Sequence, residues 1–295
     1  MIGYLSASSP ESSARLLAVF RESLSEAGYV EERNLAIDYR FAEGLYDRLR
    51  AIAEELVRRR VSAVVAASSP SALAAKGATA SIPIVFAAND DPVKLDLVAS
   101  LARPSGNATG VHFLASELGA KQLGLLRELV PAAARIGLLI NPNNKGAEAA
   151  ARKVETAASA IAVDVVKASD RGGIDAAFAT LVRNKADALL VGSDSFFYTR
   201  RLQIATLATR HAIPAIYPIR EFAETGGLMT YGPSLTEAWR QLGVYTGRIL
   251  KGVKPADLPV VQSIKFELII NAQTARALDL KISDNLLSIA DEVIE

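Results

Sequence analysis

Groups able to do chemistry are few in this chain, and most lie where an apolar run ends. The richest cluster is Ala66-Ala67-Ser68-Ser69-Pro70-Ser71, where hydroxyls and the free N–H groups of a helix start converge. That junction suits a carboxylate, held by Ser68 or Ser69 and by the amides of Ser71 and Ala72. It equally suits plain capping, with Ser69 at the N-cap and Pro70 at the first helical position. Ser6, Ser8 and Ser9 ahead of Pro10 repeat the pattern. Farther on, Asn89-Asp90-Asp91-Pro92 places an amide and two acids after another apolar run. Adjacent carboxylates are costly to bury together, so one is expected to face a ligand. Asn89 is as good a contact as either acid, and Asp91 can instead cap a helix that begins at Pro92.

The second half holds Gly192-Ser193-Asp194-Ser195-Phe196-Phe197-Tyr198, a dense cluster in a chain that is only 6% aromatic. An acid beside aromatic faces recognises an ammonium group on an apolar or aromatic ligand, through a salt bridge and a cation–π contribution of roughly 0.5 to 2 kcal/mol. The competing reading is an Asp N-cap followed by two core phenylalanines. Tyr217 and Tyr231 offer flat apolar faces with polar tips near the ends of short apolar runs. Arg220 and Glu221 read as an ordinary surface pair. His211 falls at a helix end, where a cation favours the dipole. His112 sits inside an apolar run and reads as a satisfied core histidine or as a contact between lobes.

Composition removes much other chemistry. With no Cys there is no thiol nucleophile and no thiolate metal cage, and the two histidines are far apart in sequence. No carboxylate cluster has ligand spacing, and no Gly-x-Ser-x-Gly elbow or phosphate loop is present. Neither a catalytic group, nor a metal, nor a cofactor is expected. Lys and Arg number 33 against 32 Asp and Glu. The longest basic run is Arg58-Arg59-Arg60, so no nucleic-acid partner is expected. No run of 18 apolar residues suggests a membrane span. The opening Met1-Ile2-Gly3-Tyr4-Leu5-Ser6 reads as a strand rather than a leader, which fits either a cytosolic protein or one whose leader has been removed.

The elements that position these groups follow from periodicity. Strand-like runs at Ile2–Leu5, Leu35–Phe41, Ala63–Ala67, Ile84–Ala88, Ile136–Ile140, Val163–Val166, Ala188–Val191 and Ala215–Tyr217 alternate with amphipathic helical patterns. The helices are expected at Ser12–Ala27, Tyr46–Arg59, Ala72–Thr79, Ser116–Val130, Ala147–Ala160 and Ile174–Asn184. That alternation predicts α/β architecture, with parallel, doubly wound sheets in two lobes. Gly226–Gly232 and Lys265–Ile270 are candidates for crossings between lobes, and a long helix after Pro233 should stop at Lys251-Gly252.

Several stretches together resemble one family. They are Tyr29-Val30-Glu31 with Arg33-Asn34, Ile82–Ala87 leading to Asp91-Pro92-Val93, Leu97–Pro104 with Gly106–Gly110, and Arg220-Glu221-Phe222 to Tyr231-Gly232-Pro233. Lys251-Gly252 with Lys254–Pro259 and Lys265–Asn271 also match, so the likeness spans essentially the whole chain. The sequence is similar to the ABC transporter substrate-binding proteins of the tryptophan and tyrosine importer type. The resemblance implies a type I periplasmic-binding fold of two lobes joined by three crossings, with residues 1–113 and 232–258 in one lobe and 114–231 and 259–295 in the other. It implies a small amino acid-like ligand, expected to be aromatic such as Tyr, Phe or Trp, bound in the cleft between the lobes and passed to a permease with its ATPase. Carried over by position, Ser6, Ser8, Ser68 and Ser69 would hold a carboxylate, Asn89 and Asp91 would line the first lobe's side, and Asp194, Phe196, Tyr217 and Tyr231 the other lobe and hinge. The chain departs from the family pattern at Asp90, at Ser193-Asp194-Ser195 and at Pro218.

A monomer outside the cytoplasm, with its export signal already removed, is the expectation that follows. The alternatives are the ligand-sensing domain of a transcription regulator, which would need a helix-turn-helix segment, and a binding protein for a carboxylate that is not an amino acid. A hydrolase using Asp194 or a serine would lack a neighbouring base.

Overall fold

Two α/β units account for the chain in the computed structural model, which describes residues 1–113, 118–159, 161–263 and 265–295. They comprise Met1–Leu114 with Ser234–Ile264, and Ala115–Pro233 with Lys265–Glu295, so the chain passes from one to the other three times.

The first unit begins with β1 (Ile2–Ser6), α1 (Pro10–Glu26), β2 (Ile37–Phe41), α2 (Arg48–Arg58), β3 (Val64–Ala66), α3 (Ser69–Ala78), β4 (Ile84–Ala88) and β5 (Ala108–His112). The second unit then supplies α4 (Gly119–Leu129), β6 (Arg135–Ile140), α5 (Ala147–Ala158), β7 (Ala162–Lys167), α6 (Arg171–Arg183), β8 (Ala188–Val191), α7 (Ser195–Thr199), α8 (Arg201–Arg210), β9 (Ala215–Tyr217), α9 (Glu221–Glu224) and β10 (Met229–Pro233). Next, α10 (Leu235–Leu250) and β11 (Val261–Gln262) return to the first unit. Finally β12 (Phe266–Asn271), α11 (Ala272–Ala277), α12 (Asp284–Ile289) and β13 (Glu292–Ile294) complete the second.

In the first unit the sheet order is β2-β1-β3-β4-β5-β11, with every neighbouring pair parallel. Helices cover both faces, which explains why β1, β3, β4 and β5 are buried at every position. Leu49, Ala53 and Leu56 of α2 and Ala72 and Ala75 of α3 pack on Val64, Ala66, Ile84 and Phe86. Helix α1 lies along α10, burying Leu16, Leu17, Phe20 and Leu24 at helical spacing. Its start is fixed by a reciprocal pair: Ser9 Oγ accepts from Ser12 N, and Ser12 Oγ accepts from Ser9 N.

The second unit repeats the winding, with order β7-β6-β8-β9-β10-β12-β13. One junction departs from the all-parallel expectation: β12 runs antiparallel to β10, because the chain re-enters this sheet from the other unit before turning through α11 and α12. Leu123 and Leu126 of α4 and Val154 of α5 pack against Ile136, Leu138, Leu190 and Ile216. Each fully buried side chain of this size contributes about 1.5 to 3 kcal/mol. Both units bring their fifth strand unusually close to the fourth. A Cβ at Gly110 of β5 would collide with the Phe86 carbonyl oxygen, and one at Gly232 of β10 with that of Pro218.

The segment Gly226–Gly232 enters β10 rather than forming a free crossing, pairing Thr230 with Tyr217 and with Ile269. Residues 259–263 stay with the first unit because Val261 and Gln262 pair with Val111 and His112, so the return falls at Lys265 and not at 259. The expected helix from Ser116 is seen from Gly119, its first residues lying outside those described, as does Ala160 at the expected end of α5. Pro92 does not open a helix, and a turn follows it.

Candidate functional site

In open α/β sheets, ligands meet the carboxyl ends of the strands, and each lobe presents a different chemistry there. In the first lobe, β1, β3 and β4 are neighbours, so Ser6 and Ser8, Ser68 and Ser69, and Asn89 and Asp91 follow adjacent strand ends. Ser6 Oγ accepts from Ser8 N at 3.1 Å. Ser68, not Ser69, is the N-cap of α3: its backbone is extended, its Oγ accepts from Ser71 N at 3.2 Å, and it shares a 2.7 Å hydrogen bond with Ser71 Oγ. Ser69 is thereby released to reach across to β4, where its Oγ accepts from Asn89 N at 2.9 Å and Asp90 N at 3.4 Å. The two serines therefore tie the edge together. Asp91 closes its own turn, with Oδ1 accepting from Val93 N at 2.9 Å and Lys94 N at 3.4 Å.

His112 ends β5 in register with Ala88 and Gln262. It is 2% exposed, and neither ring nitrogen has a hydrogen-bond partner among the described residues, so it is not the satisfied core histidine expected from the sequence. Burial holds its pKa below the ordinary value, and the negative charge of Asp91 only partly offsets this. Ser263 Oγ, just past β11, is likewise buried without a partner among the described residues.

In the second lobe the central feature is Asp194, at the end of β8 and 2% exposed. Asn141 Nδ2 donates to its Oδ1 at 2.9 Å, and Asn144 Nδ2 donates to its Oδ2 at 2.9 Å. Phe196 N also donates to Oδ1, at 3.0 Å, making Asp194 the N-cap of α7. The capping reading of this cluster is seen here, since the acid caps a helix and the buried Phe196 and Phe197 pack as tilted rings 5.6 Å apart. Tyr217 ends β9 fully buried, its ring stacked 4.5 Å from Phe222, and burial pushes its hydroxyl pKa up. Tyr231 is half-buried against Phe266 at 6.1 Å, with its pKa raised by burial and by Asp291. Arg220 does not pair with Glu221 as expected. It bridges Glu224 at 2.9 Å, Glu267 at 3.5 Å and Glu292 at 2.7 Å, fastening α9 to β12 and β13. His211 caps α8 as expected, exposed and stacked on Phe178.

Sequence reading missed Asn141 and Asn144. The signal was available, because Asn141-Pro142-Asn143-Asn144 directly follows the apolar run Ile136–Ile140, the same kind of junction that drew attention elsewhere. A cavity of about 490 Å3 in the second lobe, lined by Thr206, Thr209, Arg210 and Gln273 among others, includes none of the expected contacts. It lies at the opposite end of the sheet, where α8 and α9 lead into β9 and β10. Among the described residues no group of three His, Asp or Glu could hold a metal ion.

The family described as ABC transporter substrate binding protein matches residues 9–294. The chain belongs to that family. As a substrate-binding protein it is 30% identical over 265 residues to the tyrosine-binding protein of Clostridioides difficile (strain R20291), covering 89% of this chain and 76% of that one. Among solved structures, the ABC domain in complex with L-Trp from Streptococcus pneumonia is 26% identical, with 100% of both chains covered and a TM-score of 0.87. A conserved domain protein from Vibrio cholerae O1 biovar eltor shares the fold, at 24% identity and TM-score 0.91 over 99% of this chain and 98% of that one. ABC substrate-binding proteins are extracytoplasmic, and among the described residues of this one no helix is long and apolar enough to cross a membrane.

Proposed function

We propose that this substrate-binding protein takes an L-amino acid with an aromatic side chain, with tyrosine and tryptophan the leading candidates, and delivers it unchanged to a membrane permease and its ATPase. The observation that carries the reading is Asp194, a buried carboxylate held in one orientation at the carboxyl edge of the second sheet. It takes the ligand's ammonium group. Ser6, Ser8, Ser68 and Ser69 with their neighbouring amides, beside Asn89 and Asp91, form the polar edge that takes the carboxylate. Phe196, Tyr217 and Tyr231 supply aromatic surface for the side chain. The names of two relatives support the ligand class, one a tyrosine-binding protein and the other a structure in complex with L-Trp.

No covalent step is needed for this role. Hydrogen bonds to two charged ligand ends and burial of one ring supply the affinity. We assign the protein to the extracytoplasmic side as a monomer. The test is thermal unfolding against the twenty amino acids together with aromatic and branched-chain keto acids. A ligand at about 100 times its Kd adds roughly 2.7 kcal/mol of stability. A shift with Tyr, Trp or Phe alone supports the reading. A shift only with aliphatic acids, or none with any amino acid, overturns the ligand class.

A further inference from the structure

We propose that Asn141 and Asn144 are positioning residues for the ligand, acting through Asp194; this rests on the reading of Asp194 as the partner of the ligand's ammonium group. Both asparagines lie in the loop after β6. Each asparagine spends its side-chain oxygen locally: Asn141 Oδ1 accepts from Asn143 N at 3.0 Å, and Asn144 Oδ1 accepts from Gly146 N at 3.1 Å. With both oxygens occupied by N–H donors, the amide nitrogens are the ends left to face Asp194, so the orientation of each amide is settled by its bonds. The backbone stiffens the same turn, with Asn144 N donating to Asn141 O and Ala147 N to Asn144 O.

The result is a two-pronged donor that grips one carboxylate oxygen with each prong. Both asparagines are buried, at 2% and 8% exposure, and strands β6 and β8 are hydrogen-bonded neighbours, so the prongs sit in an internally hydrogen-bonded turn directly after a strand that is paired with the one leading to Asp194. A neutral amide donor stabilises the charged form of a carboxylate without cancelling its charge. An arginine in the same place would fix the group equally well but would spend its charge. Asparagines therefore suit an acid that must stay ionised, keep one orientation and still attract a cation.

The test compares binding of L-tyrosine and L-tryptophan with binding of their des-amino analogues, 3-(4-hydroxyphenyl)propionate and indole-3-propionate, by calorimetry. The variants are Asn141→Ala, Asn144→Ala and Asn144→Ser. A serine at 144 still offers an oxygen to Gly146 N, so the turn survives while the reach to Asp194 is lost. Asn143→Ala, in the same loop but exposed, is the control. Each clamp variant is expected to weaken the amino acids about tenfold, as loss of one charge-assisted hydrogen bond would, and to leave the des-amino analogues within about twofold. The Asp194 carboxyl, followed by carbon-13 NMR, should titrate at higher pH in each. Equal losses for both ligand types, or no change in either the preference or the titration, would overturn the inference while leaving the ammonium contact standing. Asp194→Asn separates the two: an unchanged amino acid preference in that variant overturns the ammonium contact itself and the clamp with it.

Discussion

The two sheet edges reach similar architecture by opposite chemistry. In the first lobe the polar groups are hydroxyls, and their bonds are mainly to backbone: Ser68 to Ser71 N, Ser69 to Asn89 N, Ser6 to Ser8 N. Those hydroxyls hold the strand ends in place, and the acid on that edge, Asp91, uses one carboxylate oxygen on its own exposed turn. In the second lobe the organising group is an anion, held by two side chains on another strand end as well as by the Phe196 N–H. Neutral hydroxyls tolerate loss of a partner at modest cost, whereas a buried carboxylate and its donors stand or fall together. The comparison predicts that the second lobe is the more brittle of the two to single substitutions.

The largest effect should come from Asp194→Ala. It strands two buried amides and the Phe196 N–H together, so chemical denaturation should show a loss of about 3 kcal/mol or more, with aromatic amino acid binding abolished in calorimetry. A loss under about 1 kcal/mol would erase the contrast between the edges. Ser69→Ala should cost less, about 1 to 2 kcal/mol, because one acceptor for two backbone N–H groups is removed; amide exchange should accelerate at Asn89 and Asp90. Ser68→Ala removes a helix cap, worth about 1 kcal/mol, together with the bond to the buried Ser71 hydroxyl, so its effect on the denaturation midpoint should be comparable with that of Ser69→Ala and well below that of Asp194→Ala.

A pH series sharpens the same contrast from the other side. His112 has a folded pKa held below the ordinary 6.5 by burial. Its neutral form is favoured in the fold, so its contribution is fully present above pH 6.5 and is lost as pH falls through that value toward the lowered one. Stability measured from pH 8 down to 5 should therefore decline, and His112→Leu should flatten the decline while raising stability near pH 7, since it removes two buried atoms without partners. An unaltered acid limb in that variant would show that the carboxylates control it instead.

The parts of this architecture that depend on short-range pattern were legible in the sequence. Apolar runs at Ile84–Ala88 or Ile136–Ile140 announce buried strands, and the serines, acids and prolines that follow them announce the junctions where function sits. The misreadings are informative because each turns on a partner far along the chain. Ser68 and Ser69 exchanged roles because Ser69 is drawn to Asn89, 20 positions away. Asp194 was found, but not the asparagines that hold it, which lie 53 and 50 positions earlier. Arg220 passed over its neighbour Glu221 for Glu267 and Glu292 on strands that close the sheet. Junction chemistry is written locally, and pairing across a parallel sheet is not.

The chain has one tryptophan, Trp239 on α10, and its surroundings make it an optical reporter. The indole N–H donates to Tyr4 Oη at 3.0 Å, and the ring lies nearly parallel to Phe113 at 6.4 Å, both partners belonging to the first lobe. Intrinsic emission excited at the red edge of the indole band therefore arises from a single buried site beside the end of β5. Such emission reads the integrity of the first lobe alone, and a melt followed by it can be set against one followed by circular dichroism, which averages both lobes, to show whether the two units unfold together.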